Sequence, residues 1–260
     1  RHYEDGDAIS EDIVEFYTGD YQIVNVPFTR GMIGYHGRDL PDDHVDLVRA
    51  LAGALELGYL RYFDLQAAEQ RTRDAEIERS LERVRTAIAA MQDSSGILGL
   101  VDTIRAELAN LGAVADDRFG INTIDPTTQC IVVRTGIARG SHERIIPQAE
   151  EMSPESLFGE WRRRLSPGVH WHRRLTVDEE IHSRTIEARR LGNVLPSDWE
   201  RHVRARGDTD VLDLYFEQGS LAVSRTTGPY TDDEIALLRR FTDVFALGYR
   251  RHLDLTEAEA

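Results

Sequence analysis

The chain has 260 residues, of which 41% are hydrophobic and 30% are charged, and its formal net charge is −15. This length and composition suit one or two globular domains with real cores. The acidic balance argues against a nucleic-acid partner, because phosphate contacts need a basic face. No run of about 18 apolar residues is present, so no membrane span is predicted.

Two further features of the composition favour a cytoplasmic location. The acidic first residues, RHYEDGDAISED, do not have the pattern of a signal peptide. Cys130 is the single cysteine, which excludes an internal disulfide and fits a reducing compartment. We expect Cys130 to pack in a strand, with a redox sensor as the alternative.

The first part of the chain predicts a helix, a strand pair and a very long helix. Ser10 is a suitable cap for a short helix at 10–18, and residues 20–28 and 30–36 form strands around a turn. Proline and two acids at 41–43 then begin a helix. No proline interrupts it before about residue 91.

Apolar residues along this long helix recur at steps of three and four, which is typical of a coiled-coil seam. A narrow apolar stripe must be buried, and the same helix of a second chain is the simplest partner. The alternative is a helix folded back on its own domain. The predicted dimer seam consists of Phe63, Ala67, Gln70, Asp74, Ile77, Leu81, Val84, Ile88 and Met91.

The remainder of the chain predicts a mixture of helices and short strands, with helices inserted between strands. Such a pattern favours an α+β domain with an antiparallel sheet and helices on one face. The predicted helices are 96–112, 153–165, 177–191, 197–206 and 231–260, and the predicted strands are 118–124, 129–135, 169–174, 210–216 and 220–226.

One phrase occurs twice in the chain. LGYLRYFDLQAAE at 57–69 returns as LGYRRHLDLTEAE at 247–259. Upstream, the Phe and Gly at 28 and 31 correspond to those at 216 and 219, and an acidic helix start follows in both copies. A strand, a turn and a helix in the same order indicate two copies of one module in tandem.

The order of elements, this phrase, the helix text IERSLERVRTAIAAM (77–91) and the strand text FEQGSLAVS (216–224) together resemble the tandem GAF-like modules of bacterial signalling proteins. Sensor histidine kinases and nucleotide cyclases of two-component and related systems are built in this way. The resemblance implies a GAF-like antiparallel sheet flanked by helices, with long coiled-coil-type linker helices.

The same resemblance implies a division of the chain. Residues 1–63 would be the C-terminal part of a first GAF-like module and residues 64–92 a coiled-coil signalling helix. Residues 93–250 would be a complete second module, and 251–260 the start of an outgoing helix towards an output domain that the chain does not contain. The chain lacks the signature associated with cyclic-nucleotide binding, so the resemblance names no cofactor.

Six residues are the candidates for ligand binding: Trp161, His170, Trp171, His172, Arg173 and Trp199. Tryptophan side chains are typical of pocket walls, and the local excess of arginine in an acidic chain favours a small anionic ligand. Ordinary core aromatics and solvated, paired arginines are the alternative interpretations.

The function predicted from these features is a non-catalytic regulatory or sensory one. A small ligand or partner would bind, and a homodimeric helix would relay the event to the output domain. One alternative is a purely structural dimerisation spacer. The other is a metal-dependent enzyme that uses the pair His170 and His172, since two histidines on one strand face can share a metal when a third ligand is present. No catalytic motif or metal-ligand motif is found, so neither catalytic residues nor metal ligands are predicted.

Overall fold

The computed structural model describes residues 22–38, 40–114, 118–137, 140–146, 157–190 and 194–259. Its backbone contacts divide the chain into two compact units, Arg1–Asp74 and Ala75–Ala260. The helix predicted at 10–18 lies outside the described residues, as do residues 153–156 of the helix predicted at 153–165.

The first unit contains a strand pair and most of a long helix. Strands β1 (Gln22–Phe28) and β2 (Gly31–Gly37) pair in antiparallel fashion, and helix α1 extends from Asp42 to Ala90. The ring of Phe28 stacks on that of Tyr59 with 5.8 Å between ring centres, which places the hairpin against α1. The long uninterrupted helix predicted from the absence of proline is confirmed.

The second unit is an α+β arrangement, as predicted. Its six strands are all antiparallel to their neighbours, in the order β5-β4-β3-β8-β7-β6. The strands are β3 (Arg118–Ile124), β4 (Ile131–Ile137), β5 (Gly140–Ile146), β6 (His170–Leu175), β7 (Thr209–Phe216) and β8 (Gly219–Arg225). After α1 come a 3-10 turn at Ser94–Gly96 and the helices α2 (Ile97–Asn110), α3 (Leu157–Arg164), α4 (Val177–Arg190), α5 (Trp199–Arg206) and α6 (Asp232–Glu259).

The main core lies on one face of this sheet, under α2, α6 and the last turns of α1. Four predicted seam residues belong to it: Ile77, Leu81, Val84 and Met91 are each at most 9% exposed, and Ile88 packs against the same cluster. Because these side chains are already covered by their own chain, the prediction that they pair with a second chain is wrong. The alternative, a helix folded onto its own domain, holds for this half of the stripe.

The other half of the predicted seam remains open. Phe63 is 38% exposed, and Ala67, Gln70 and Asp74 are also exposed. The amide nitrogen of Gln70 donates to the carboxylate of Asp74 at 2.9 Å, one turn further along the helix. The seam prediction is therefore reduced to these four positions, which the described residues leave exposed even though Arg30 lies over the ring of Phe63.

The repeated phrase has different surroundings in its two copies. In α6, a side chain at Gly248 would meet Leu100 of α2 at 2.5 Å and Ile88 of α1 at 2.9 Å, so glycine is what allows the three helices to approach. At Gly58, its counterpart in α1, an added β-carbon would meet no neighbouring side chain or element of the described residues within 4 Å.

The ends of α1 and α6 are joined by hydrogen bonds. Arg251 donates to the carbonyl oxygen of Met91 at 2.8 and 3.3 Å, which satisfies an acceptor just beyond the last turn of α1. Glu259 accepts from the backbone and the hydroxyl of Ser94 at 2.9 and 2.6 Å. The segment that enters this unit and the helix that ends it are thus held side by side.

Two local predictions need correction. Strand β5 was not predicted, because its centre, His142–Ile145, is exposed and charged and lacks alternation, as is common in edge strands. Cys130 is half-buried and lies just before β4 rather than inside the strand. Within the described ranges, none of the helices is both long enough and apolar enough to cross a membrane.

Candidate ligand-binding site

A cavity of about 180 Å³ lies on the sheet face opposite the main core. Helices α3 and α4 cover it, and strands β3, β4, β6, β7 and β8 form its floor. Its apolar wall consists mainly of Val133, Leu157, Phe158, Trp161, Leu175 and Val211. Three arginines and two carboxylates also line it, namely Arg118, Arg173, Arg184, Glu180 and Asp213.

Small residues at the centre of the sheet explain why space remains there. Strand pairing aligns Asp213 of β7 with Ala222 of β8, then Gly120 of β3, then Thr135 of β4. Side chains at directly paired positions point to the same face. Ala222 and Gly120 therefore leave a depression between the larger side chains on either side.

Asp213 is the polar centre of the floor. The hydroxyl of Ser220 donates to its Oδ1 at 2.7 Å, and the indole nitrogen of Trp161 donates to the oxygen of Ser220 at 2.8 Å. Asp213 is 4% exposed and Ser220 is fully buried. The chain of donors fixes the Trp161 ring against the sheet, because each group keeps a partner only in this arrangement.

Burial raises the pKa of Asp213 from 3.8 to about 6. Removing a carboxylate from water disfavours its charged form. The hydrogen bond from Ser220, the charge of Arg173 and smaller contributions from Trp161 and Asn122 act in the opposite direction but do not offset burial. The carboxyl group is consequently poised to exchange a proton near neutral pH.

Arg173 is the cation on the floor. Its guanidinium lies 4.6 Å from the centre of the Trp171 ring, and Arg164 lies at the same distance from that ring. The Nε of Arg173 is buried without a hydrogen-bond partner, and within the described residues no ion pair joins Arg173 to Asp213. Burial lowers the pKa of Arg173, although nearby Asp213 and Glu160 oppose the effect.

A second, fully paired cluster closes one side of the cavity. Glu180 of α4 is 3% exposed and accepts a hydrogen bond from Arg118 of β3 at 3.0 Å and another from Arg206 of α5. Burial alone would raise the pKa of Glu180, but the two guanidinium groups hold it below its usual value. This cluster joins α4 and α5 to the sheet, and Glu180 already neutralises much of the charge of Arg118.

Of the six predicted ligand-binding residues, the structure places two in this cavity, Trp161 and Arg173. Trp171 lines an adjoining depression together with Arg164 and His182. The alternation of β6 puts His170 and His172 on the opposite face, so these two residues do not line this cavity. Trp199, in α5, is half-buried and does not line the cavity.

His172, the second histidine of the pair, has a different local role. The Nε2 of His172 lies 3.1 Å from the Oδ1 of Asp210, and its ring meets Tyr230 edge to face. Among the described residues, no group of three or more His, Cys, Asp or Glu side chains is arranged to hold a metal ion. The metal-enzyme alternative therefore lacks the third ligand that it requires in this part of the chain.

Sequence reasoning missed Asp213, Ser220 and Asn122. Asp213 did leave a signal, since it is a charged residue in the middle of the apolar strand DVLDLYF. Such a residue needs a buried partner or a functional reason to be there. Its proximity to Trp161 and Arg173 could not be read from spacing, because the three residues come from separate elements.

Comparison with known proteins gave no family: no protein-family model matches the chain, and no curated protein matches it. What the cavity can bind is therefore inferred from its own geometry. It offers an apolar volume, one guanidinium without a complete set of partners among the described residues and one carboxyl group with a raised pKa. Such an arrangement is suited to holding a small molecule by an apolar body and a polar end.

Proposed function

We propose that the chain is a regulatory, non-catalytic sensor in which a small ligand occupies the cavity under α3 and α4. The observation that carries this proposal is the buried Nε of Arg173, which has no hydrogen-bond partner among the described residues and borders the apolar wall of the cavity. A buried donor without a partner is unfavourable. A ligand that accepts a hydrogen bond there removes the penalty.

The GAF-like resemblance agrees with the observed order of elements. The second unit has an antiparallel sheet with helices α3 to α5 inserted between its strands, and the cavity lies between that sheet and two of the inserted helices. Modules of that class hold small ligands in the same kind of place. The resemblance supports the sensor and does not name its ligand.

The structure also offers a route from the cavity to the long helices. Strand β7 presents Asp213 to the cavity and Leu212 and Leu214 to the main core. Arg239 of α6 donates to the carbonyl oxygens of Tyr215 at 2.8 Å and Val169 at 2.7 Å. A shift of β7 on ligand binding would move α6, and the bonds between α6 and the end of α1 would carry the shift to α1.

Output from such a sensor would pass through a dimer. Phe63, Ala67, Gln70 and Asp74 form an exposed stripe on α1, and the helix also exposes Leu57, Leu60 and Leu65. Exposed apolar stretches of this kind mark interaction surfaces. In the proposal, α1 of a second chain covers this stripe. Polar residues at such positions lower the stability of the pairing, so Gln70 and Asp74 keep two packings of the helices close in energy.

The test of the ligand site is a fragment screen by ligand-observed NMR. Ala222→Leu would fill the central depression, and Ala222→Ser keeps the space as a matched control. Fragments that bind the wild type and Ala222→Ser but not Ala222→Leu support the sensor. If every fragment that binds the wild type also binds Ala222→Leu, or if no fragment binds at all, the cavity does not bind ligands and the proposal is refuted.

The test of the relay is hydrogen exchange with the strongest bound fragment. Binding should change exchange in α6 and at the end of α1, and Arg239→Gln should abolish that change while leaving affinity the same. Arg250→Gln is the control, since Arg250 is exposed on the same helix. Tight binding without any change in α6 would favour a spacer that senses nothing.

One measurement distinguishes the sensor from the purely structural spacer. Native mass spectrometry reports the subunit count together with any retained small molecule. A dimer that retains a ligand supports the sensor. A dimer whose cavity accepts no fragment supports the purely structural spacer.

A further inference from the structure

Charge, size and polarity of the cavity together restrict the class of ligand. This inference rests on the proposed function, because it concerns the same cavity. Three arginines and two carboxylates line the cavity, so arginines outnumber carboxylates in its wall although the net charge of the chain is −15. A buried guanidinium with an incomplete set of hydrogen-bond partners attracts a negatively charged group.

Arg173 is the cation of the lining that has a buried donor without a partner among the described residues. Arg118 is already paired with Glu180 at 3.0 Å. Arg173 contacts the face of Trp171 on one side, and none of the described residues forms a hydrogen bond with its Nε. An ionised acceptor at that nitrogen would make a charge-assisted hydrogen bond, which is roughly twice as strong as a neutral one.

The volume sets the size of the rest of the ligand. A cavity of about 150 Å³ in another protein holds a benzene ring, and this one has about 180 Å³. The space above Gly120 and Ala222 is bordered by Val133, Phe158 and Val211. An apolar ring fits there, whereas a strongly hydrated inorganic anion would lose its water without compensation.

The hydroxyl of Thr209 adds a second polar contact at the same end. It lines the cavity, is buried and has no hydrogen-bond partner in the part of the chain that the structure describes. Thr209 is paired with Leu175 across β6 and β7, and Arg173 is paired with Val211. Arg173 and Thr209 are therefore diagonal neighbours on adjacent strands, with α-carbons about 7–8 Å apart. A carboxylate has two oxygens, and these two donors can bind one each.

We propose that the cavity binds a ring-sized organic monocarboxylate, whose carboxylate contacts Arg173 and Thr209 and whose apolar ring lies over Gly120 and Ala222. The carboxylate supplies the missing partners of two buried donors. The ring replaces water in the central depression. Both parts are needed, because neither the charge nor the apolar space alone accounts for the whole lining.

Benzoate is the probe, and isothermal titration calorimetry on the purified chain is the measurement. Three comparison compounds each lack one part of the proposed ligand: benzamide lacks the charge, acetate lacks the ring and inorganic phosphate lacks the apolar body. Benzoate should bind at least about 10-fold more tightly than any of them, since a charged hydrogen bond contributes at least about that factor.

Variants separate the contacts. Arg173→Gln should weaken benzoate binding by roughly 10- to 100-fold and should remove the preference over benzamide. Arg163→Gln is the matched control, because it removes the same charge from an exposed position on α3, and it should change affinity less than about 2-fold. Ala222→Leu should abolish binding even if Arg173→Gln does not fold.

The outcomes distinguish this inference from the proposed function. Equal binding of benzoate and benzamide, or an unchanged affinity in Arg173→Gln, refutes the carboxylate class. If neutral fragments bind and Ala222→Leu blocks them while benzoate does not bind, the sensor proposal holds and the ligand class is wrong. If nothing binds in the cavity, both are refuted.

Discussion

The substitution Asp213→Asn tests the electrostatic cost of the cavity floor. Asp213 is buried, and its pKa rises from 3.8 to about 6 on folding. Asparagine keeps the oxygen that accepts from Ser220 but has no charge to bury. We therefore expect the variant to be more stable than the wild type at neutral and alkaline pH.

The size and sign of the effect follow from the pKa change. Below pH 3.8 the carboxyl group is protonated in both the folded and the unfolded chain, so its ionisation costs nothing. As the pH rises towards 6, the unfolded chain releases the proton more readily, and the wild type loses stability. A rise of about 2 units corresponds to about 3 kcal/mol at pH 8, and roughly half of that is already lost at pH 5.

The assay is urea denaturation of both proteins at several pH values between 5 and 8. The quantity to compare is the difference in unfolding free energy between Asp213→Asn and the wild type. This difference should grow by about 1 to 2 kcal/mol from pH 5 to pH 8. The change with pH matters more than the absolute value, because the amide also alters hydrogen bonding at every pH.

Glu234→Gln provides a control of opposite sign. Glu234 begins α6 and accepts from Arg225 at 2.6 and 3.0 Å, and this lowers its pKa from 4.5 to about 2. Its contribution to stability is present above pH 4.5 and is lost as the pH falls towards 2. The Gln variant should be less stable by a constant amount from pH 5 to 8. If the difference in unfolding free energy between Asp213→Asn and the wild type does not change with pH, the raised pKa of Asp213 is refuted.

Three further predictions concern the helices and the cavity wall. The double substitution Gln70→Leu and Asp74→Leu should lower the dissociation constant of the dimer in analytical ultracentrifugation, because both are exposed positions of the proposed stripe; unchanged dissociation would remove the stripe from the interface. Gly58→Ala should raise the unfolding free energy by up to about 1 kcal/mol. Gly248→Ala should instead lower it by about 1 kcal/mol or more, since the added methyl group would lie 2.5 Å from the nearest side chain. Equal effects of the two substitutions in chemical denaturation would contradict the different surroundings of the two glycines. Trp161→Phe should cost about 1–3 kcal/mol by removing the donor to buried Ser220, and full stability in the same assay would show that the hydrogen-bonded chain to Asp213 is not formed.

The order of elements was largely predictable because it depends on local features. The proline and acids at 41–43 start α1, and the text around Gly219 forms the β7–β8 hairpin with only small differences in its ends. Strand β5 was not predictable in this way. Its charged centre is tolerated only because the strand is at an edge of the sheet, and its edge position is a property of the whole sheet.

The candidate site was only half predictable. Trp161 and Arg173 were identified from residue type and local charge. Asp213, Ser220 and Thr209 were not, since each belongs to a strand whose neighbours are set by pairing over long distances in the sequence. The histidines of β6 do not line the cavity. The sequence could not show this, because alternation indicates which residues share a face but not which face meets the cavity.

The sequence by itself determined the helices, the strands other than β5 and the presence of a narrow apolar stripe along α1, because these depend on the periodicity of neighbouring side chains. Only the tertiary structure decided what covers that stripe. Ile77, Leu81 and Val84 are buried in their own chain, while Phe63 and Ala67 are exposed. The physical reason is that apolar burial has no direction and no preferred partner. A stripe is covered by whichever apolar surface the folded chain brings against it, and that surface is formed by residues far away in the sequence.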